Sequence, residues 1–258
     1  MIKKTYNVIT LMSETDKLYE KIREKRPDVD KVSFTRDKIV SERHWEPSLP
    51  LIKNNFTRVL EELKVFYIPN LMHPGPVFVF PIRDLDGTYP YAQTKPLTAS
   101  ELYSAKAKYT RIGQPPISPQ WLGNSPETLL QVLRYNKVVI VEGPFDLLAC
   151  RLVCPNLPIL CPLTKLVTSK HEDYLEMLGV SEMVLIFDNE LNKKDGGHMG
   201  AGNIAMYEQQ KISRLNTSVL LSPPSDPSDA LKSKASAIKL RDLLLRAFGK
   251  WEYPEDVL

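Results

Sequence analysis

Two short segments of this chain, Val138-Val139-Ile140-Val141-Glu142-Gly143 and Met183-Val184-Leu185-Ile186-Phe187-Asp188-Asn189-Glu190, share one form. Each is an apolar, β-branched run that ends abruptly in a carboxylate. Read as buried parallel strands, they put Glu142 and Asp188 at the same rim of one sheet, where open α/β sheets bind their ligands. Glu190 stands at the alternate position after Asp188 and can point the same way. Asp146 falls in the first turn of the helix that Gly143-Pro144 opens, and Gly143 permits a close approach. A third station, Asp226-Pro227-Ser228-Asp229, follows a later apolar run and adds Asp226 and Asp229. Acids gathered at one rim are costly unless they hold something positive, and a divalent metal is the usual occupant. A Mg2+ or Mn2+ site of this kind suits phosphoryl or nucleotidyl transfer.

Each acid also has a bland explanation. Asp146 and Asp229 can cap helices, and Glu142 can pair with a neighbouring cation. Three acidic stations after three strands of one sheet are much rarer by chance than any one alone. Nothing resembling a P-loop or a Ser/His/Asp arrangement competes with them.

The elements that must position these acids follow from the rhythm of the chain after Lys137. A strand over 138–141 leads to a helix over 144–153, a short strand over 158–160 and a helix over 168–178 ended by Gly179. A strand over 183–187, a Gly-rich loop, a helix over 202–214 and a strand over 217–221 come next. Such alternation predicts an α/β fold, a parallel sheet flanked by helices on both faces. The tail, 227–248, reads as two short helices. Before Lys137 the pattern is mixed α+β. Leu51, Ile52, Phe56, Val59, Leu60 and Leu63 recur at helical steps after Pro50. Pro69 to Pro76 breaks that pattern. Val77 to Ile82 reads as a strand, Asp86-Gly87 as a hairpin turn, and Thr88 to Lys95 as the returning strand. Pro81 and Pro90 place these strands at an edge or bulge. Thr98 to Lys108 reads as a helix, and Ser125-Pro126-Glu127-Thr128 is a strong helix start. The expected division is a basic subdomain over 1–136, a metal-binding subdomain over 137–222 and a helical segment over 223–258.

The 258 residues can bury a full core, and 43% hydrophobic with 25% charged residues is ordinary for a globular protein. No apolar run approaches the length needed to span a bilayer. Met1-Ile2-Lys3-Lys4-Thr5 opens no signal-peptide core, so export is not expected and the expected place is the cytoplasm. Cys150, Cys154 and Cys161 fit no zinc ribbon, and the four histidines form no ligand pair. The cysteines read as small buried hydrophobes in a reduced compartment, and no zinc is expected. The net charge of +3 is unevenly placed. Residues 1–137 carry 21 Lys and Arg against 15 Asp and Glu, and residues 138–258 carry 13 against 16. Lys95, Lys106, Lys108 and Arg111 share a stretch in which Glu101 is the only acid, with Tyr91, Tyr103, Tyr109 and Trp121 interleaved. That mixture suits a groove tracking a single-stranded backbone, although a solvated face over core aromatics gives the same pattern.

Taken together, these residues resemble a known family. Val139 to Asp146, Leu185 to Glu190 and Asp226 to Asp229 are similar to the three acidic motifs of a Toprim domain. Phe80-Pro81-Ile82-Arg83-Asp84-Leu85-Asp86-Gly87, then Lys95-Pro96-Leu97, resembles the basic strand region of bacterial DnaG-type primases. Leu122-Gly123-Asn124-Ser125-Pro126-Glu127-Thr128 resembles that family's Asn-Ser-Pro-Glu-Thr segment. Five motifs in family order over roughly residues 76–232 make a specific match.

The resemblance implies a Toprim-type catalytic core that makes RNA primers from ribonucleoside triphosphates on single-stranded DNA. Carried over by position, Glu142, Asp188 and Glu190 would be catalytic, and the same three with Asp226 would hold the metal. Asp146 and Asp229 would support the site. Arg83, Lys95 and Asn124 would belong to the template- and nucleotide-binding surface with Lys106, Lys108 and Arg111. Glu190 stands where the family has an aspartate. Gln120 and Trp121 stand where it has a lysine, for which Arg134 or Lys137 can compensate. The residues to build the family's zinc module do not occur, so a stripped-down core of a phage or other mobile replicon is expected. It would work with a separate template-recognition protein and a replicative helicase. A Toprim nuclease and a non-catalytic single-strand binder are the rival readings. The two upstream segments favour the primase.

Overall fold

Two helices lead the chain, α1 (Val8–Lys25) and α2 (Lys31–Arg43). Asp30 starts α2 by accepting the Ser33 amide, and His44 closes it in the left-handed region at φ 54°. In the computed structural model, which describes residues 8–71, 75–96, 110–113, 121–164, 166–188, 201–222 and 226–249, Pro50 then opens α3 (Pro50–Leu63). Its fixed φ and missing N–H suit a first helical turn. The expected stripe, Leu51, Ile52, Phe56, Val59, Leu60 and Leu63, is buried along one face of this helix.

An antiparallel sheet follows, with strands β1 (Phe66–Leu71), β2 (Gly75–Ile82), β3 (Tyr91–Pro96) and β4 (Thr110–Gly113) in sequential order. Both faces of β2 are covered, which is why its sequence is apolar without alternation. Val77 and Val79 pack with Val8 and Leu11 of α1, while Phe78, Phe80 and Ile82 join the main core. The prolines need a correction. β2 is not an edge strand; it lies between β1 and β3. However, the β1 ladder ends at the Phe66–Val79 pair, so Pro81 sits where β2 has β3 as its one partner and its missing N–H breaks no β1 bond. Pro69 falls at the irregularity between Ile68 and Leu71. The returning strand begins at Tyr91 rather than Thr88, because Pro90 has no N–H to offer the ladder.

Ser125 caps α4 (Pro126–Tyr135) by accepting the Thr128 amide. A parallel sheet comes next, in the order β6-β5-β7-β8: β5 (Lys137–Val141), β6 (Ile159–Leu160), β7 (Glu182–Ile186) and β8 (Asn216–Val219). The connections carry α5 (Pro144–Val153), α6 (Ser169–Met177) and α7 (Ala201–Ile212). Val138, Ile140, Met183, Leu185 and Phe187 pack with α4, α6 and α7. Val139, Val141, Val184 and Ile186 pack on the other face with α5. The last elements among the described residues are a 3-10 helix (Pro227–Lys232) and α8 (Lys234–Ala247), close to the two short helices expected. The helix read over Thr98–Lys108 lies outside the described residues.

Every residue of α5 is buried, and its cluster includes Phe78 and Phe80 of the antiparallel sheet, so α5 is the element both sheets pack against. Phe145 seats the contact: its ring meets those of Phe78 and Phe80 edge-on, with centroids 5.5 and 5.4 Å away. Cys150, Cys154 and Cys161 fill this core as thiols, and burial pushes Cys150 and Cys161 up, away from the reactive thiolate. Arg151, 1% exposed, pairs with Glu62 of α3, 7% exposed, and donates to the Leu157 carbonyl at 2.8 Å. The same Glu62 oxygen accepts from Ser125 Oγ at 2.6 Å. One buried ion pair therefore ties α3, α4 and α5. Among the described residues no helix is long and apolar enough to cross a membrane.

Removing one partner of a buried pair strands the other charge. Arg151→Met is expected to lower stability by about 3–5 kcal/mol in chemical denaturation. Combining it with Glu62→Leu should cost clearly less than the two single losses together. Simple additivity would show that the pair is not coupled.

Candidate metal centre at the sheet rim

The register of the parallel sheet decides the geometry. Val141 of β5 lies opposite Ile186 of β7, so Glu142 and Asp188 leave the same rim, as the sequence pattern predicts. The third station reaches that rim through the 3-10 helix. Asp226 is its N-cap, with Oδ1 accepting the Asp229 amide at 2.7 Å and the Ser228 hydroxyl at 2.8 Å.

Carboxylate oxygens of Asp146, Asp188 and Asp226 lie within 4.8 Å of one another. Asp146 thus belongs to the cluster itself and does not stand behind it. Glu142 lines the same cleft, of about 360 Å³, without joining that set of three. Gly143 makes the arrangement possible, since a Cβ at this position would lie 2.7 Å from Asp146 Oδ2. Asp146 is buried, and burial, then the charges of Asp226 and Asp188, hold its carboxyl well above the usual aspartate range. The Ser228 amide, 3.2 Å from Asp146 Oδ1, and the Lys95 cation pull the other way.

Such a donor set fits a hard divalent cation. It is all oxygen, short-armed, and mutually repulsive without a positive charge among its members. Lys95 comes in from β3, its Nζ 4.6 Å from the centre of the Phe145 ring, and lines the cleft with Gln93 of the same strand. Leu163 forms part of the wall at φ 60°, a conformation that disfavours a branched side chain.

Other expected residues are dispersed. Asp229 pairs with Lys232 at 2.6 Å beside the cleft. Arg83 lies in a separate groove of about 610 Å³ with Arg58, Lys64 and Tyr89. Asn124, 5% exposed, accepts the Tyr174 hydroxyl at 3.0 Å. Lys137 and Arg134 do not come to the cleft. Lys137 starts β5, at the opposite end from Glu142, and is paired with Glu182 at 2.6 Å; Arg134 is exposed on α4 over Tyr135. Arg111 sits opposite Gln93 in the β3–β4 ladder. Glu190, Lys106 and Lys108 lie outside the described residues. Two residues of the cleft, Arg43 and Ser228, were not legible as site residues: Ser228 is hidden in an acidic motif, and Arg43 comes from a helix with no motif at all.

The raised Asp146 carboxyl gives a signed expectation. The folded protein holds this proton to higher pH than the unfolded chain, so ion-free stability falls as pH rises through the raised range. Asp146→Asn should remove that loss and raise the ion-free unfolding midpoint at neutral pH. Mn2+ or Mg2+ should raise the midpoint of the wild type and raise that of the variant much less. A variant less stable than wild type in ion-free buffer would contradict this picture.

No protein-family model matches the chain, and no curated protein matches it in sequence. Solved structures do match. The RNA polymerase domain of Mycobacterium tuberculosis primase DnaG aligns with a TM-score of 0.56 at 18% identity, covering 84% of this chain and 77% of that one. The E. coli primase catalytic core aligns with a TM-score of 0.53 at 14% identity, covering 83% and 74%. A DnaG primase catalytic domain bound to single-stranded DNA gives a TM-score of 0.53 at 15% identity, covering 83% and 72%. At these identities the likeness is one of architecture: the chain has the fold of the DnaG primase catalytic core.

Proposed function

We propose that this chain is a primer-synthesising nucleotidyltransferase, joining ribonucleoside triphosphates on a single-stranded DNA template with Mg2+ or Mn2+. The observation that carries the proposal is the meeting of Asp146, Asp188 and Asp226 at one sheet rim, across a cleft from Lys95. The fold shared with primase catalytic cores supports the same reading.

Asp146, Asp188 and Asp226 would hold the metal, with Glu142 in the same cleft and Glu190, two residues past Asp188, completing the set. Two divalent ions held there would lower the pKa of the attacking hydroxyl and neutralise the charge that develops on phosphate oxygens. The remaining work falls to the chain. The Asp229 amide and Ser228 hydroxyl hold Asp226, and the Ser228 amide holds Asp146, so two of the three carboxylates are oriented before substrate arrives. Lys95 places a positive charge against the phosphate chain, and its ammonium lies over the Phe145 ring at the edge of the cleft. Arg83, in the larger groove where Arg58 and Lys64 stand among Glu61, Glu62 and Glu127, is proposed to meet the template together with Lys106, Lys108 and Arg111.

The test is direct. Purified protein is incubated with single-stranded DNA, labelled ribonucleotides and Mg2+ or Mn2+, and compared with Asp188→Asn and Glu142→Gln. Wild type should yield short template-dependent RNA, and Asp188→Asn should lose about a hundredfold or more. Cleavage of the DNA in place of synthesis would establish the nuclease. Strand binding with neither activity would overturn the catalytic reading.

A further inference from the structure

Gln93 of β3 lines the same cleft as Asp146, Asp188 and Asp226, yet it carries no charge for a metal or a phosphate to meet. It is 8% exposed, and its Oε1 is buried with no donor among the described residues. An amide oxygen taken out of water and left unbonded costs stability. The strand ladder offers no remedy. Phe80 of β2 and Arg111 of β4 stand directly across from Gln93. The phenyl ring has nothing to donate, and the guanidinium does not reach Oε1.

Successive side chains of a strand alternate, so Gln93 and Lys95 leave β3 on one face, about 7 Å apart along it. Ala92, on the other face, packs into the cluster around α1. The phosphate chain of a nucleotide belongs beside the acids and Lys95, which puts the attached sugar within a side chain's length of Gln93. Phosphate and carboxylate oxygens only accept hydrogen bonds, so neither can satisfy a carbonyl oxygen. Template-directed synthesis must take four bases, so a fixed group beside the phosphates can read only what all four nucleotides share. Beyond phosphate they share the ribose, whose hydroxyls are donors. The 3′ hydroxyl becomes the next nucleophile and must be released to the metals. That leaves the 2′ hydroxyl as the donor a fixed acceptor can keep.

We propose that Gln93 is a specificity-determining residue whose amide oxygen accepts the 2′ hydroxyl of the incoming ribonucleotide and selects ribose over deoxyribose. The inference rests on the nucleotidyl-transfer reading and adds sugar selection to it. A half-turn of the carboxamide exchanges its two ends, so the oxygen can be presented to the cleft. A deoxynucleotide in the same place leaves that oxygen buried without a donor. A site built around a substrate hydroxyl rejects the analogue that lacks it for this reason.

ATP, 2′-deoxyATP, 2′-fluoro-2′-deoxyATP and 3′-deoxyATP, each with Mg2+, are titrated into wild type and Gln93→Met by calorimetry. Methionine keeps most of the volume and removes the acceptor. Wild type should bind ATP about tenfold or more tighter than the 2′-deoxy and 2′-fluoro analogues, and 3′-deoxyATP about as tightly as ATP. In Gln93→Met the affinity for ATP should fall and that for 2′-deoxyATP should not, bringing the two within about twofold. The ratio of kcat/KM for ribonucleotide over deoxyribonucleotide in primer synthesis should shrink by a similar factor. Thermal unfolding without nucleotide should show the variant no less stable than wild type, because a buried unpaired acceptor has gone. The 2′-fluoro analogue needs no variant: it keeps an atom of similar size and loses the donor, so binding as tight as ATP overturns the inference. An unchanged ratio in Gln93→Met overturns it as well. An equal loss for both sugars would assign the amide to the metal or its waters instead. If wild type binds and joins both sugars equally, sugar selection alone fails. If wild type binds no nucleotide, the nucleotidyl-transfer reading fails with it.

Discussion

Asp146 sits in a position that electrostatics opposes. Its carboxyl is buried, and that burial, then the charges of Asp226 and Asp188, raises it well above the usual aspartate range. A group in that state costs stability whenever it ionises without a counter-charge. Much of the surrounding structure offsets this cost. Gly143 leaves the room, the Ser228 amide supplies a hydrogen bond, and Lys95 supplies a nearby cation. A divalent ion among the carboxylates would remove the remaining conflict, so the same burial that opposes ionisation of Asp146 would favour a bound cation.

The cleft, with its acids and its lysine, is assembled where two sheets dock. The parallel sheet brings Glu142 and Asp188 to one rim through the register of β5 and β7, and α5 places Asp146 in its first turn. The antiparallel sheet contributes no acid. It contributes Lys95, and through Phe78 and Phe80 it fixes the Phe145 ring on which that lysine rests. The buried Glu62–Arg151 pair ties the far end of α5, the helix that carries Asp146, to α3. Packing at one end of α5 and ion pairing at the other are thus part of the site, although neither touches substrate.

What could be read in the sequence was whatever had a local physical cause. The runs 138–141 and 183–187 are unbroken because both faces of the parallel sheet are covered, and helix starts at Ser125-Pro126 and Gly143-Pro144 follow from capping chemistry. What depended on distant partners could not. The indole of Trp45 finds the Ser228 carbonyl across 183 residues, and nothing in Ser41-Glu42-Arg43-His44-Trp45 announces that meeting. Glu62 and Arg151 look like ordinary surface charges until three helices bury them together. Asp146 reads as a supporting acid or as a helix cap, because its place in the first turn of α5 suits either. Its membership of the metal cluster appears only when the 3-10 helix brings Asp226 beside it. The β4 strand, four residues long, lacked the length to register as a strand.

The central claim is that Asp146, Asp188 and Asp226 form one divalent-metal site. A crystal grown with Mn2+ and measured at the manganese absorption edge tests it most directly. The account predicts anomalous density at the sheet rim, with oxygens of all three aspartates at about 2.0–2.3 Å from bound metal. Manganese bound elsewhere, or a rim that stays empty at saturating Mn2+, would contradict it.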